Sequence, residues 1–393
     1  MMAGPLTGLR VVEIAGLAPA PFGCMILADL GAEVLRVDRA TASDGLTPPA
    51  GPLDRGKYSL ALDLKTPGDR DKLYAIADKA DVFVEGFRPG VAERLGIGPA
   101  DIGGRNPRVV YARMTGWGQH GPLAQTAGHD INYIALSGVL DLIGRADERP
   151  TPPGNIIGDF AGGGMLLALG VIAALYERAQ SGTGQVIDAA MVDGSALYTA
   201  FMHGLHATGL WNQPRGRNML DGGAPFYDTY ECADGRHVAV GCVEYPFYLQ
   251  MLAHLGIDDP DLPFQLDTTG WVELRQRVGA KFKERSRDEW AEHFADTDAC
   301  VTPVLSPWEA HEHPHNDARD AYLDIDGIRQ PAPAPRFSRT ATAVPQPLST
   351  EPADVDRLLE RWTVTSASSR SVEHPGSGQA DRGRSPEATP KIS

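Results

Sequence analysis

The sequence predicts an α/β protein with a doubly wound, Rossmann-like large domain and a second, smaller α+β domain. An apolar strand at 9–15, an apolar helix at 19–30 and a second strand at 33–38 follow one another directly. Such a run forms a βαβ unit with two parallel strands. Near residue 225 this pattern gives way to two short strands around an Asp-Gly turn, which is typical of an antiparallel hairpin.

The large domain continues with further strands and helices. The segment 57–64 alternates apolar and polar side chains, as a half-buried strand does. The helix at 160–180 is apolar on nearly all sides in its first half, which predicts a buried position. The predicted elements after residue 40 are a strand, a helix, two strands, a helix and a strand or helix entry at 57–64, 69–79, 81–85, 108–113, 160–180 and 185–190.

The chain is predicted to divide into four parts. Residues 1–224 form the large domain and 225–310 the small domain. Residues 311–364 return to pack on the large domain, through a Pro- and Ala-rich stretch. Residues 365–393 carry almost no large apolar side chains and are predicted to be disordered. The elements after residue 224 are a hairpin and four helices at 227–232, 237–241, 245–255, 272–284, 287–295 and 352–362.

The composition argues against several classes of function. The 51 acidic residues exceed the 36 basic ones and give a formal charge of −15, which disfavours a nucleic-acid partner. A few local arginines can still bind a small anionic ligand. The four cysteines form no CxxC pair and predict reduced thiols in a cytoplasmic protein. We expect no membrane contact, because no signal sequence is present and the longest uncharged apolar stretch, 165–176, is too short for a bilayer.

The turn after the first strand lacks the glycine pattern of a dinucleotide site. A GxGxxG motif would place backbone N–H groups against a pyrophosphate. Residues 15–21 read AGLAPAP instead, and its two prolines have no N–H to donate. We therefore reject a nicotinamide or flavin enzyme. The sequence contains neither a P-loop nor an HExxH zinc motif.

Basic side chains gather where predicted strands begin or end, namely Arg39, Lys57, Lys65, Arg88 and Arg94. Ligands of an open α/β sheet bind at the carboxyl ends of its strands. Arginines at that edge would suit a phosphorylated ligand. The alternative is that these are solvated surface charges, which is the commoner state of any single Lys or Arg.

Two short segments offer an acid/base pair. His129 and Asp159 each lie at a Gly-marked turn beside an apolar helical stretch. Two such groups can pass one proton across a carbon centre. Both have ordinary alternatives, because His129 could be a structural side chain and Asp159 the N-cap of the following helix. A helix start at Asp159 would also supply free N–H groups to a developing oxyanion.

Glu244 is a third candidate. It follows the apolar run at 238–243 and precedes Tyr245 and Pro246. By pattern alone it is a helix-start carboxylate. The functional alternative is a partner that orients or charges the imidazole of His129.

Five blocks of sequence resemble a known family. They are GHDINYIALSG (128–138), GDFAGGG (158–164), GQVIDAAMVDG (184–194), RNMLDGGAPFYDTYECADG (217–235) and DACVTPVL (298–305). In this order they resemble the family III CoA-transferases of the CaiB/BaiF superfamily, in particular the α-methylacyl-CoA racemases within it. The resemblance extends from about residue 4 to about residue 340.

The resemblance implies a reaction on a 2-methylacyl-CoA thioester. The C2 proton would be removed to give an enolate-type intermediate, and a proton would return to the other face. His129 would act on one face, Asp159 on the other, and Glu244 would support the imidazole. Coenzyme A is part of the substrate, and no metal or redox cofactor is required. The implied substrate and CoA contacts are Arg39, Ala61, Leu62, Lys65, Arg88, Arg94, Gly128 and Tyr133.

The resemblance also implies an interlocked homodimer with a shared active site, in which Glu244 comes from the partner subunit. One departure bears on this role. Tyr245 and Pro246 stand where the racemases have Pro-Gln, so the loop around Glu244 could have a different shape.

Two other functions remain open at this point. A family III CoA-transferase would use Asp159 as a nucleophile and form an acyl anhydride, and the fold alone cannot separate the two reactions. His129 discriminates between them, because the transferases lack a histidine there. A non-catalytic acyl-CoA-binding or scaffold protein would need the pocket but not the acid/base pair. The preferred acyl chain is not encoded in any pattern described above.

Overall fold

The structure is a computed structural model that describes residues 3–40, 51–349 and 351–368 of the 393-residue chain. A sheet of six strands forms the large domain: β1 (Arg10–Ile14), β2 (Glu33–Arg39), β3 (Lys57–Leu62), β4 (Val82–Glu85), β5 (Val110–Thr115) and β6 (Val186–Ala190). Their order is β3-β2-β1-β4-β5-β6, and every neighbouring pair is parallel. This is the strand order of the doubly wound Rossmann fold, so the predicted α/β class is confirmed.

Helices cover both faces of this sheet. They are α1 (Pro19–Asp29), α2 (Pro67–Ala77), α3 (Val91–Arg94), α4 (Pro99–Arg105), α5 (Asp130–Leu136), α6 (Leu166–Ser181), α7 (Met191–Leu197) and α8 (Ala200–Ala207). On one face, Leu27 of α1 and Val171 of α6 pack against Val34 and Val84 of the sheet. On the other face, Leu73 of α2 packs against Phe83. The strands are thus buried from both sides, as the apolar run at 82–84 requires.

The long apolar helix begins earlier than predicted. Its first turns, Ile156–Met165, form a wide π-helix that continues directly into α6. Glycines make this possible, because the widened turn lies against two other helices. A Cβ on Gly164 would lie 2.7 Å from the ring of Phe22 in α1, and one on Gly163 would lie 2.9 Å from Met191 in α7. π-helical turns of this kind often occur at functional sites.

The same helix bears on the expectation of no membrane contact. The stretch Ile156–Ser181 is long and apolar enough, by length and composition alone, to cross a bilayer. The sequence-based estimate was too short because it counted only the uncharged core at 165–176. A partly buried helix of a packed fold passes the same test: its first turns contact α1 and α7, whereas Met165 and Leu169 are 51% and 62% exposed, so the predicted buried position is wrong for that face. The absence of a membrane partner stays a prediction.

The second part of the chain has its own sheet and apolar core. Strands β7 (Tyr227–Glu231), β8 (His237–Gly241) and β9 (Val301–Pro303) pair antiparallel, and the predicted hairpin is observed. Helices α9 (Tyr245–His254), α10 (Trp271–Phe282) and α11 (Arg287–His293) cover it. Phe226, Tyr248 and Trp290 are buried in this core. The predicted boundary at 224/225 stays a prediction.

The chain then returns to the large domain. It passes through α12 (Pro314–Ala318) and the hairpin β10 (Tyr322–Ile325) and β11 (Ile328–Pro331). Arg55, which lies just before β3, donates to the side chain of Gln330 at 2.9 Å. Along the outer edge of β3, the amide of Gly56 donates to the carbonyl of Gln346 at 2.7 Å, and the amide of Ala353 donates to the carbonyl of Ser59 at 2.8 Å.

The last described element is α13 (Val355–Ser368), whose Trp362 is fully buried beside α2. This helix is longer than the predicted one at 352–362. Residues 365–368 are therefore helical, where disorder was predicted from 365 onward. The predicted tail at 369–393 lies outside the described residues.

Candidate active site

The carboxyl ends of the parallel strands form one edge of the sheet, and most of the predicted cations lie there. Arg39 ends β2 and pairs in register with Leu62, which ends β3. Ala61, Arg39 and Lys65 are exposed, whereas Leu62 is buried. The structure thus brings these four predicted contacts together at the ends of two neighbouring strands. Their contact with coenzyme A stays a prediction.

Lys57 is the exception among the predicted cations. It begins β3, at the opposite end of the strand, and it is buried. Its Nζ lies 2.6 Å from Glu13 of β1 and donates to the carbonyl of Pro21 at 3.0 Å. The interpretation of Lys57 as a ligand-binding cation was therefore wrong, because this charge neutralises a buried carboxylate inside the fold.

A buried ion network supports the turn after β4, which carries Arg88 and Arg94. Glu85, the last residue of β4, accepts the amide of Phe87 at 2.7 Å. Arg113 of β5 donates to Glu85 at 2.9 Å and to Glu93 of α3 at 2.8 Å. Desolvation raises the pKa of Glu85, whose charged form the bonds from Phe87 and Arg113 favour. The network ties both ends of the turn to the sheet, while Arg88 and Arg94 extend into solvent.

His129 immediately precedes α5, in extended backbone with φ −133° and ψ 174°. Its amide donates to the side chain of Asn132 at 3.0 Å, and its carbonyl accepts the amide of Asn132 at 2.8 Å. The imidazole is exposed and forms no hydrogen bond within the described part of the chain. A side chain whose backbone is fixed and whose ring is unpaired is available to a ligand.

Asp159 lies inside the wide turn Ile156–Met165, and the residue that precedes the turn is Asn155. The N-cap interpretation of Asp159 was therefore wrong. Its amide donates to Oδ2 of Asp130 at 2.7 Å, so this N–H is not free for an oxyanion as the sequence had suggested. Its carboxylate accepts Nδ2 of Asn155 at 3.1 Å.

The environment of Asp159 favours the protonated carboxyl. Burial raises its pKa, the amide of Asn155 lowers it, the charge on Asp130 raises it, and the charge on His129 lowers it. The net effect is a raised pKa of the Asp159 carboxyl. Asp130 follows His129 directly and accepts the amide of Asp159, so His129 and Asp159 lie on adjoining segments.

Gly128 and Tyr133 fix the backbone next to His129 through their contact with each other. The phenol of Tyr133 donates to the carbonyl of Gly128, and its ring contacts Trp117 edge-on at 4.8 Å. A Cβ on Gly128 would lie 2.8 Å from the Tyr133 ring, so this position excludes a side chain. Burial raises the pKa of Tyr133 to about 12. Their predicted contact with the substrate stays a prediction.

Glu244 is exposed at the residue before α9, and its side chain does not cap the helix. Among the described residues, no hydrogen bond or ion pair joins it to His129. The loop around it is nevertheless fixed. The buried amide of Gln265 donates to the carbonyls of Cys242 and Val243 at 3.1 and 2.9 Å, and the indole of Trp271 donates to the carbonyl of Gln265 at 2.9 Å.

In the three described ranges, 3–40, 51–349 and 351–368, no group of three or more His, Cys, Asp or Glu side chains could hold a metal ion.

Comparison with known proteins identifies the family. The family description "CoA-transferase family III" matches residues 6–354, which is most of the chain. The chain belongs to CoA-transferase family III. An α-methylacyl-CoA racemase from Mus musculus is 49% identical over 341 residues, which cover 86% of this chain and 88% of the relative. The racemase of the same name from Homo sapiens is 47% identical over 336 residues, covering 85% and 87%.

A solved structure supports the fold of this family III chain. A CAIB/BAIF family protein from Brucella suis superposes with a TM-score of 0.78 at 24% identity, covering 93% of this chain and 99% of that one. At this identity the likeness shows the fold alone.

Sequence reasoning missed three supporting residues of this family III site. Asp130 and Asn155 bind the Asp159 amide and carboxylate, and Gln265 fixes the loop before Glu244. Only Asp130 carried a signal, because it adjoins His129 in the sequence. Asn155 and Gln265 depend on a π-helical turn and on a tertiary contact that no local pattern predicts.

Proposed function

We propose that this protein is an α-methylacyl-CoA racemase, which interconverts the (2R) and (2S) epimers of 2-methylacyl-CoA thioesters by 1,1-proton transfer. The observation that carries the proposal is the pair His129 and Asp159, whose segments are joined by the hydrogen bond from the Asp159 amide to Asp130 at 2.7 Å. The two relatives named as racemases share almost half of their residues with this chain. A family III CoA-transferase would instead use Asp159 as a nucleophile, and the solvent-exchange experiment below separates the two reactions.

The chemistry is a proton exchange at one carbon. In one direction, the neutral imidazole of His129 takes the C2 proton, and the electron pair of that C–H bond delocalises onto the thioester oxygen. The protonated carboxyl of Asp159 then gives its proton to C2 from the opposite face. The reverse direction starts with ionised Asp159 and protonated His129. Because the thioester already acidifies the C2–H bond, we propose that these side chains act without a metal or redox cofactor.

Coenzyme A would bind along the carboxyl edge of the sheet. The cations Arg39, Lys65, Arg88 and Arg94 are exposed there, at the ends of β2, β3 and β4 and in the following turns. The order of the strands reverses between β1 and β4, and ligands of doubly wound folds bind at such a point. Charge-assisted bonds from these side chains suit the phosphates of coenzyme A.

We further propose that the protein forms a homodimer in which Glu244 reaches the partner's His129. Along α6 and the turn before it, apolar side chains are exposed at helical spacing: Met165 (51%), Leu169 (62%), Ile172 (36%) and Tyr176 (72%). Exposed apolar stripes of this length mark interaction surfaces. Glu244 is itself exposed, which fits a residue that completes a second subunit's site. A cytoplasmic location also remains a proposal.

The decisive experiment is solvent exchange at C2. A single epimer of a 2-methylacyl-CoA is incubated in heavy water without an acceptor acid, and deuterium at C2 and loss of optical purity are followed. The wild-type protein should incorporate deuterium and yield both epimers. His129→Ala should lower the rate about 10²- to 10⁴-fold, as expected for loss of a general acid/base.

A panel of acyl chains and an acceptor acid separate the alternatives. If C2 does not exchange and CoA moves to an added carboxylic acid, the protein is a transferase and the racemase proposal is wrong. If the wild-type protein shows neither reaction and His129→Ala binds acyl-CoA as well as wild type does, the protein is a non-catalytic acyl-CoA-binding protein. Branched fatty acyl, sterol side-chain and aryl-propionyl thioesters together define the substrate.

A further inference from the structure

Asp130 is a buried carboxylate beside the proposed acid/base pair, and the reaction above does not use it. It is 5% exposed and begins α5, directly after His129. Its Oδ2 accepts the amide of Asp159 at 2.7 Å. Its Oδ1 is also buried and has no hydrogen-bond partner among the described residues. A buried carboxylate with a single hydrogen bond destabilises a fold.

The contact joins the two segments that carry the acid/base pair. A Cβ on Gly158 would lie 2.7 Å from Oδ2 of Asp130 and 3.1 Å from its Cα, so the wide turn lies directly against the start of α5. The first amides of a helix lack partners within the helix. The carboxylate of Asp130 is the hydrogen-bond acceptor for one such amide, that of Asp159 in the turn Ile156–Met165. Because Asp130 follows His129 directly, this one side chain connects the backbone at His129 to the backbone at Asp159.

A neutral side chain could make the same bond. Ser or Asn caps a helix amide about as well as Asp does, without the desolvation penalty of a buried charge. The start of α5 offsets part of this penalty, because a helix N-terminus favours negative charge. What a neutral residue could not supply is a negative charge next to the carboxyl of Asp159.

We propose that Asp130 is a positioning residue for the proton transfer: its carboxylate fixes the turn that carries Asp159 opposite His129 and sets a negative charge beside it. The proposal rests on the racemase function. The groups that face Asp159 are His129 and Asp130 at the start of α5, Asn155 just before the turn of Asp159, and the neutral phenol of Tyr133. Of these, only Asp130 adds negative charge.

The electrostatic consequence follows from the sign of each charge. Asp130 raises the pKa of Asp159 and His129 lowers it. Removal of the negative charge should therefore lower the pKa of Asp159 and leave it ionised over more of the pH range. The state with protonated Asp159 and neutral His129, which one direction of the reaction needs, would then be rarer.

The test compares Asp130→Asn and Asp130→Ala in the full-length protein. Asp130→Asn keeps an oxygen for the Asp159 amide but loses the charge. It should retain the fold, lower kcat more than it changes KM, and shift the acid limb of the kcat/KM profile to lower pH. Asp130→Ala loses the bond as well, and a misplaced acid/base group costs about 10²-fold in rate. In both variants kcat/KM must fall equally in the two directions, because the substrates fix the equilibrium constant.

Asp234→Asn is the matched control. Asp234 also accepts hydrogen bonds from backbone amides, from Arg236 at 3.1 Å and from Arg287 at 3.3 Å. It lies in the turn between β7 and β8, at the start of β8, whereas Glu244 follows the end of that strand. It should leave kcat, KM and the pH profile unchanged. If Asp130→Ala does not fold, Asp130→Asn decides the question.

Two results would overturn the proposal while leaving the racemase function intact: wild-type kcat in both Asp130 variants, or an unmoved acid limb in Asp130→Asn. Titration of the Asp159 carboxyl by ¹³C NMR gives a readout that needs no turnover. It should find a lower pKa in Asp130→Asn than in wild type, and equal values would contradict the role of Asp130. Absence of C2 exchange in the wild-type protein would instead reject the racemase function.

Discussion

At the scale of single residues, the chemistry depends on one proton shared by two groups. The two productive states of the site are protonated Asp159 with neutral His129, and ionised Asp159 with protonated His129. Both hold the same number of protons, so their ratio does not depend on pH. It depends on how the site distributes that proton between the two groups, and burial favours the state with protonated Asp159 by raising the pKa of its carboxyl.

The pH dependence of kcat/KM follows from this equality. We expect one bell-shaped profile, identical for both epimers, because the active species is always the singly protonated pair. On the acid side, activity falls as the second proton binds, and the raised pKa of Asp159 places this limb above the range of an ordinary aspartate. Initial rates of deuterium incorporation for each epimer across pH 4–9, about the range between ordinary carboxyl and thiol pKa values, measure it. A profile that rises to a plateau without an acid limb would contradict a singly protonated active pair.

At the scale of elements, the turns at the carboxyl edge are held by buried groups beneath them. The turn from β4 to α3 depends on Arg113, whose guanidinium joins Glu85 and Glu93. Likewise the loop before α9 depends on Gln265. The exposed Arg88 and Arg94 can be precise in position only if this support is intact.

Arg113→Met is the corresponding prediction. It leaves Glu85 buried without its cation, and breaking a buried pair costs about 3–5 kcal/mol of unfolding free energy. We also expect KM for acyl-CoA to rise, since the turn bearing Arg88 and Arg94 loses an anchor. Urea denaturation and steady-state kinetics measure the two effects.

Arg105→Met is its control. Arg105 pairs with Asp78 at 2.6 Å, but the two side chains are 44% and 34% exposed. Exposed pairs contribute about 0–1 kcal/mol, so stability and KM should stay close to wild type. Equal losses in the two variants would argue that the network does not support the turn.

At the scale of the whole molecule, the proposed site takes Glu244 from a second subunit. Glu244 lies in a different part of the fold from His129, and the stripe from Met165 to Tyr176 is uncovered. A homodimer with two symmetric sites would cover the stripe and supply the missing carboxylate.

Subunit complementation tests this arrangement. His129→Ala and Glu244→Gln should each impair both sites of a homodimer. A heterodimer purified through two different affinity tags would contain one site with both residues intact, and about half of the wild-type activity should return. Parent variants purified in the same way are the controls. Glu244 would belong to its own chain's site if the heterodimer were no more active than its parents.

The sequence was sufficient to predict the strands and helices of the fold, but not the contacts that hold the site residues in place. Strand spacing and the apolar runs predicted the parallel sheet and the hairpin, because those patterns are local. They could not predict that Lys57 turns inward to Glu13, since that depends on which strands become neighbours. They also misplaced Asp159 at a helix start, because a π-helical turn is stabilised by packing against α1 and α7 rather than by its own residues.

The late return of the chain to β3 has a consequence for synthesis on the ribosome. Gly56 and Ser59 find their partners only at Gln346 and Ala353, nearly at the end of the polypeptide. In a nascent chain, β3 is therefore an edge strand without its partner through most of translation, and unpaired edge strands pair readily with other chains. We expect growing chains to depend on chaperones, and proteins truncated before residue 340 to precipitate even though their catalytic residues are complete.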